Sequence, residues 1–326
     1  MTKIALLYGG YSREREISIK SGKAVEKALN QLGYDYKVFD IIERDKFIKE
    51  ILEYKPDLAF IVLHGKGGED GTIQAILEFL GIPYTGSDMK TSVIAMDKVL
   101  TKMYLKNFGI PTPDWIFFTE KKEALNYRPD FPVVVKAPTE GSSIGVYIVN
   151  DQQEYENAVK EVFNLDDKVL VEKFIKGREL TVSILDDEVF DIVEVVVSEG
   201  FYDFNNKYIT GKTQYIYPAQ LDEDVYKSIQ GLGYKVYKLL NCKGPARVDI
   251  ILENNNNPYV LEVNTIPGMT EFSLLPKAAL ARGITFNQLV EKVIKNSLKR
   301  WKNLDFSQYG LFCVLYLATM PQLCQL

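Results

Sequence analysis

The strongest constraint on the fold is a repeated change of hydrophobic period over the first ninety residues. KIALLYGG reads as a strand running into a glycine turn, and SIKSGKAVEKALNQLG has helical spacing. In that helix Val25, Ala28, Leu29 and Leu32 fall on one face and Gly33 acts as the stop. YDYKVFDI is strand-like, KFIKEILEY helical, DLAFIVL a continuous apolar run suited to a buried parallel strand, and IQAILEFLG helical again. Strands alternating with short helices imply a parallel sheet that binds ligands at the carboxyl ends of its strands. Both YGG and LHGKGGEDG follow such strands directly, and the second holds His64, the single histidine of 326 residues.

A helix over SVIAMDKVLTKMYLKNFG then leads past Pro111 and Pro113 into short β-rich segments, DWIFFT, FPVVVKA, GVYIV, KVLVEKF and RELTVSIL. One helix, DQQEYENAVKEVFNL, lies among them. Beyond these come a strand at EVFDIVEVVV, a polar aromatic loop FYDFNNKYITGKTQY and a helix at DEDVYKSIQGLGYKVYKLL. The strands ARVDIIL and PYVLEVNT follow, then a helix at FNQLVEKVIKNSLKRW. The expected organisation is an α/β domain over 1–95, an α+β unit over 96–184, a second over 185–303, and an apolar tail over 304–326.

Composition removes several classes of function. A net charge of −5 carries no basic footprint for nucleic acid. The three cysteines form no CxxC pair and no zinc spacing, which suits a reducing, cytoplasmic compartment. The N-terminus lacks a signal-peptide run, and the tail GLFCVLYLATMPQLCQL is broken by Pro321 and falls short of the roughly 20 apolar residues of a span. No membrane partner is expected.

The hairpin RVDII…LEVNT carries the densest chemistry. Arg247 and Asp249 are two apart and share one strand face, as do Glu262 and Asn264. The asparagine turn between them would set two carboxylates, an amide oxygen and a guanidinium side by side. All-oxygen ligands suit Mg²⁺, although the pattern also fits the solvent face of an edge hairpin. Lys136 ends the apolar strand VVVKA and opens PTEGSSIG, whose N–H and hydroxyl donors could cradle phosphate; composition alone favours a solvated surface loop. GKT at 211–213 is no Walker A motif, because Asn206 stands where glycine is required, and GKGGED lacks the third glycine of a dinucleotide fingerprint. GSSIG matches the serine-hydrolase G-x-S-x-G, yet VYIV after Gly145 is strand-like and His64 precedes Ser143.

Taken in order, GGYSREREISIKSG, LHGKGGEDGTIQAILEFLGIPYTGS, MDK, KAPTEGSSIG, EKFIKGRE, FYDFNNKY, ARVD and EVNTIPGMTEFSLLP resemble the D-alanine–D-alanine ligase family of the ATP-grasp superfamily, from Lys3 to about Trp301. The resemblance implies an N-terminal parallel α/β domain followed by a two-subdomain ATP-grasp fold. It also implies ATP-driven joining of two D-alanines through an acyl phosphate for peptidoglycan precursors, with Mg²⁺, replaceable by Mn²⁺, in a cytoplasmic homodimer.

Roles carry over motif by motif. Glu14 matches the acid that holds the ammonium of the first D-alanine, and His64 the histidine at its carboxyl end. Lys98 and Lys136 match the ATP-phosphate lysines, with Glu140 to Ser143, including Ser142, as the closing loop. Glu172, Lys173 and Ile175 match the strand beside adenine, and Glu179 the acid on the ribose. Asp249, Glu262 and Asn264 match the metal ligands; Arg247 and the backbone at Gly268 match the donors to developing negative charge. Lys207, Tyr208, Ser273 and Leu274 match the surroundings of the second D-alanine. Two further readings compete: another carboxylate–amine ligase or one forming D-alanyl-D-lactate, in which the tyrosine matching Tyr208 tends to be lost, and a nucleotide-binding regulator, in which the metal ligands should have eroded.

Overall fold

The computed structural model describes residues 2–197 and 213–303, so Lys207, Tyr208 and the 304–326 tail lie outside the described residues. The N-terminal unit is a parallel sheet of β1 (Lys3–Leu7), β2 (Asp35–Phe39) and β3 (Leu58–Ile61) in the order β2-β1-β3. Helices α1 (Arg15–Leu32), α2 (Arg44–Tyr54) and α3 (Thr72–Phe79) connect and follow the strands. Along β1, Ile4 and Leu6 enter one apolar cluster and Ala5 and Leu7 another, so both faces are covered, as a parallel sheet requires. Gly33 ends α1 in the left-handed conformation, its N–H on the carbonyls of Leu29 and Asn30. The order 2-1-3 sets the loops after β1 and β3 side by side at the sheet's carboxyl edge.

Close packing of α1 on β1 depends on Gly22, where an added Cβ would sit 2.2 Å from ring atoms of Tyr8. Gly22→Ala should cost about 1–3 kcal/mol by overpacking and lower the melting midpoint by several degrees. An unchanged melt would show that the helix does not bear on the sheet there.

The helix expected over 92–109 is two helices, α4 (Met89–Met96) and α5 (Lys98–Asn107). Between them Asp97 is extended, and its carboxylate accepts the N–H groups of Val99 and Leu100 as the cap of α5. The break sets Lys98 at the first position of a new helix, whose cap is further tied to Lys168 at 2.7 Å.

A four-stranded antiparallel sheet follows, β4 (Trp115–Phe118), β7 (Val169–Lys173), β5 (Val133–Lys136) and β6 (Val146–Val149) in spatial order. It is backed by α7 (Gln152–Val162) and by α6 (Lys121–Asn126), a short helix without a strong sequence signal. The next sheet has the order β11 (Thr213–Ile216), β10 (Val193–Val197), β8 (Gly177–Leu185), β12 (Pro245–Glu253) and β13 (Pro258–Asn264), with β9 (Glu188–Val189) on β8. The segment RELTVSIL, expected to close the central unit at 184, is β8. It pairs antiparallel with β12 along its whole length, Gly177 opposite Glu253 and Leu185 opposite Pro245. Leu180, Val182 and Ile184 point under helix α8 (Glu223–Leu239), so the chain changes sheets between Lys173 and Gly177.

Two last helices, α9 (Leu274–Ala281) and α10 (Phe286–Lys302), return to the N-terminal sheet. Leu289, Val290, Val293 and Ile294 of α10 share a core with Val25 and Leu29 of α1 and with Leu58 of β3. Trp301 Nε1 donates to the Tyr84 carbonyl at 2.7 Å, pinning the end of α10. Among the described residues no helix is long and apolar enough to cross a membrane.

Candidate active site

Between the two mixed units and the carboxyl edge of β1 and β3 lies a cavity of about 570 Å³. Its N-terminal wall comes from the loops after β1 and β3. Ser12 Oγ donates to the His64 carbonyl at 2.6 Å, and Ser18 Oγ joins Gly9 N–H to the Val62 carbonyl, so the two loops are tied together. Glu14 stands at the start of α1 and is buried, where a carboxylate gains from the helix N-terminus.

The small-residue loop after β5 folds down onto that wall. Gly141 lies against Glu14, since a Cβ there would stand 2.4 Å from its Oε2. Ser142 Oγ hydrogen-bonds the same carboxylate. Ser142 and Ser143 both have positive φ, 51° and 59°, a conformation that costs non-glycine residues about 1–2 kcal/mol each. Neither serine sits on a strand-to-helix elbow, because the chain continues into β6. Glu140 is buried, with Lys66 3.7 Å and Arg13 3.9 Å away.

Lys98 reaches across from α5. Its ammonium lies 2.9 Å from the Glu140 carbonyl and 3.2 Å from Glu262. Burial works against its charge, but Glu262, Glu172 and Glu14 outweigh it and hold the lysine above its ordinary value. Lys136 stands behind this layer, not on the cavity wall: it pairs with Glu172 at 2.7 Å, and Lys102 approaches the same carboxylate at 2.9 Å. Glu172 is 1% exposed, yet Lys102 and Lys136 overcome burial and keep it below the usual carboxylate range. Lys102 was not legible as a site residue because TKMYLKN reads as an ordinary amphipathic helix. Lys173 and Ile175 lie at and just beyond the end of β7, outside the cavity lining. Glu179 is on β8, two residues from Thr181 and hence on the face that carries Asp249.

The hairpin forms as its spacing predicts. Asp249 is opposite Glu262 and Arg247 opposite Asn264, with a β-bulge between Asp249 and Ile250. Arg247 grips Asp249 with two hydrogen bonds of 2.8 Å, and Thr181 Oγ1 donates to the same carboxylate at 2.7 Å. Asn264 Oδ1 accepts from Ile266 N–H at 2.9 Å, turning the chain into the loop that carries Gly268. Arg247, Glu262, Asn264, Gly268, Ser273 and Leu274 all line the cavity. Among the described residues no group of three or more His, Cys, Asp or Glu side chains could hold a metal, so any ion here would need the amide of Asn264 beside the two carboxylates.

Sequence reasoning passed over two groups, Glu69 on the cavity wall and Ser21 behind His64. Glu69, in the loop after His64, is buried and accepts Gly65 N–H at 2.7 Å. Burial first, then the negative charge of Glu14, lifts its carboxyl well above the usual range. Ser21, on the first helix, bonds His64 Nε2 at 3.1 Å and accepts Met269 N–H at 3.2 Å. His64 itself is 5% exposed; burial, with a smaller contribution from Arg247, pushes it down to about 4 against a hydrogen bond to the Ile266 backbone. It is neutral at ordinary pH and its ring is held by protein groups on both sides.

Comparison with known proteins agrees with this architecture. The family model described as D-ala D-ala ligase C-terminus matches residues 104–295, and that described as D-ala D-ala ligase N-terminus matches 44–87. A D-alanine–D-alanine ligase of Syntrophotalea carbinolica is 46% identical over 298 residues, covering 91% of this chain and 97% of that protein. The Aquifex aeolicus D-alanine–D-alanine ligase is 44% identical over 294 residues, covering 90% and 99%. Among solved structures, the Bacillus anthracis D-alanine–D-alanine ligase complexed with ATP superposes with a TM-score of 0.80 at 36% identity, over 93% of this chain and 99% of that one. The VanG D-Ala:D-Ser ligase of Enterococcus faecalis superposes at 0.78 with 31% identity, over 91% and 99%. With the shared fold, the opposed carboxylates of the hairpin and identity above 40% across nine-tenths of its length, the chain belongs to the D-alanine–D-alanine ligase family.

Proposed function

We propose that this enzyme ligates two D-alanines to D-alanyl-D-alanine at the expense of ATP, through a D-alanyl phosphate, releasing ADP and phosphate for peptidoglycan precursor synthesis. The carrying observation is the convergence in one cavity of Glu14 from the N-terminal domain with Lys98, Arg247 and Glu262 from the mixed units. A carboxylate is a poor electrophile, and phosphorylating it is mostly positioning and charge neutralisation. Lys98 and Lys136 supply positive charge for the ATP phosphates. Glu172, on the strand that this reading sets beside adenine, is held in place by Lys136 at 2.7 Å and Lys102 at 2.9 Å.

Asp249, Glu262 and Asn264 offer an all-oxygen donor set that fits Mg²⁺ or Mn²⁺ and would hold it there. When bound, such an ion neutralises phosphate charge. The chain's own groups do the rest. Glu14 binds the ammonium of the first D-alanine, with Ser142 fixing the carboxylate's orientation. Arg247 and the Gly268 backbone provide donors for the tetrahedral oxyanion formed when the second amine attacks. The Glu140–Ser143 loop, already seated on Glu14, shields the acyl phosphate from water. The same reading places Lys207, Tyr208, Ser273 and Leu274 around the second D-alanine and the enzyme in the cytoplasm as a homodimer.

The test is ADP release with D-alanine, L-alanine and D-lactate in turn. D-Alanine alone should support turnover and yield the dipeptide; equal turnover with L-alanine would overturn the assignment. Tyr208→Phe removes a hydroxyl that this reading sets beside the second substrate. It should raise the D-alanyl-D-lactate share of product in mixed assays at low pH, where the competing amine is protonated, and a ratio unchanged across pH would count against the placement.

A further inference from the structure

Lys277 is a buried lysine that the reaction described above does not use. It lies on α9, one turn after Ser273, and its backbone N–H bonds the Ser273 carbonyl at 3.0 Å. Residues four and three apart share a helix face, so Lys277 stands beside Ser273 and Leu274 on the wall of the same cavity. The residue is 9% exposed. Among the described residues it has neither an ion pair nor a side-chain hydrogen bond. Its ammonium rests instead on two rings, 4.9 Å from the centre of Tyr215 and 5.4 Å from that of Phe272.

That arrangement is unusual beside its surroundings. Every other buried lysine described here has an anion: Lys98 has Glu262, and Lys102 and Lys136 share Glu172. The carboxylates of the cavity, Glu14, Glu69, Glu140 and Glu262, are all engaged with partners elsewhere. A desolvated ammonium without a counter-ion is costly, and burial holds Lys277 below the ordinary lysine value. An incoming carboxylate would relieve that cost, whereas an incoming ammonium would add to it. Ring faces supply a cation with attraction but no directional hydrogen bond, so its three N–H donors stay available.

We propose that Lys277 binds the carboxylate of the acceptor amino acid and makes the enzyme select a carboxylate-bearing acceptor. The inference rests on the ligase reading and adds to it a specificity-determining side chain. Tyr215 and the exposed Phe272 form the aromatic flank against which the ammonium rests.

The experiment compares acceptors with and without a carboxylate in the full-length enzyme and in Lys277→Met and Lys277→Arg. With D-alanine as acceptor, Lys277→Met should raise the acceptor KM at least tenfold, the scale of one lost charge-assisted hydrogen bond. With hydroxylamine or D-alaninamide as acceptor, product formation from D-alanine and ATP should stay within about threefold of the parent. Lys277→Arg should recover part of the D-alanine preference. If all acceptors lose rate together in Lys277→Met, or if the preference for D-alanine over D-alaninamide survives, Lys277 does not read the carboxylate. A parent enzyme that makes neither hydroxamate nor dipeptide would instead overturn the ligase reading itself.

Discussion

Glu262→Gln should abolish ADP release, by about a thousandfold or more, while the protein still melts cooperatively within a few degrees of the parent. A loss of that size is about 4 kcal/mol of transition-state stabilisation, in the range for removing charge that faces a transferring phosphoryl group. The fold should tolerate the change because the Glu262 side chain is 31% exposed and Lys98 keeps the Glu140 carbonyl at 2.9 Å. Asp249→Asn is a poorer test. It would leave the half-buried Arg247 guanidinium, which now makes two hydrogen bonds to Asp249, beside a neutral amide, and so mix loss of stability with loss of chemistry. Normal turnover of Glu262→Gln with Mg²⁺ present would remove the hairpin as the metal site.

The opposition of Asp249 and Glu262 was legible because it needs only two strands, a turn and the period of two. Gly33 as a helix stop and the buried run DLAFIVL were legible for the same local reason. What the sequence hid is set by partners far away in the chain. RELTVSIL carries the same β pattern whichever sheet it joins, and only its pairing with β12, some seventy residues on, assigns it. SVIAMDKVL looks like one helix until Asp97 is seen capping a second, a choice that puts Lys98 against Glu262 from far along the chain. Helix α9 was not legible at all: SLLPKAALA is short, and the proline within its first turn reads as a breaker. There Pro276 needs no N–H donor, because the first helical residues have none to satisfy. Thr213 to Tyr215, expected to end a loop, join an edge strand because β10 offers them a partner.

His64→Gln is expected to weaken use of D-alanine by about ten- to a hundredfold, with little change in KM for ATP. An imidazole held down to about 4 is no proton acceptor poised for catalysis at neutral pH. Its two nitrogens are instead taken up by the Ser21 hydroxyl and the Ile266 backbone, and Ser21 in turn accepts Met269 N–H. Those contacts flank Gly268, so the ring and Ser21 together fix the backbone donors that the reading assigns to the oxyanion. Glutamine can reach only part of that span, and the effect should appear where D-alanine reacts, not where ATP binds. The same burial predicts an acid-stability signature. Because the folded value lies below the ordinary 6.5, the unfolded chain takes up the proton first as pH falls. The stabilisation is therefore complete above about 6.5 and is lost progressively toward 4. A shift of that size corresponds to roughly 3 kcal/mol, which the parent should lose across the window and His64→Gln should not. Denaturant unfolding of both proteins at pH 7 and pH 4 measures the difference. Equal acid sensitivity together with parental D-alanine kinetics would leave His64 as a loop residue without a part in the reaction.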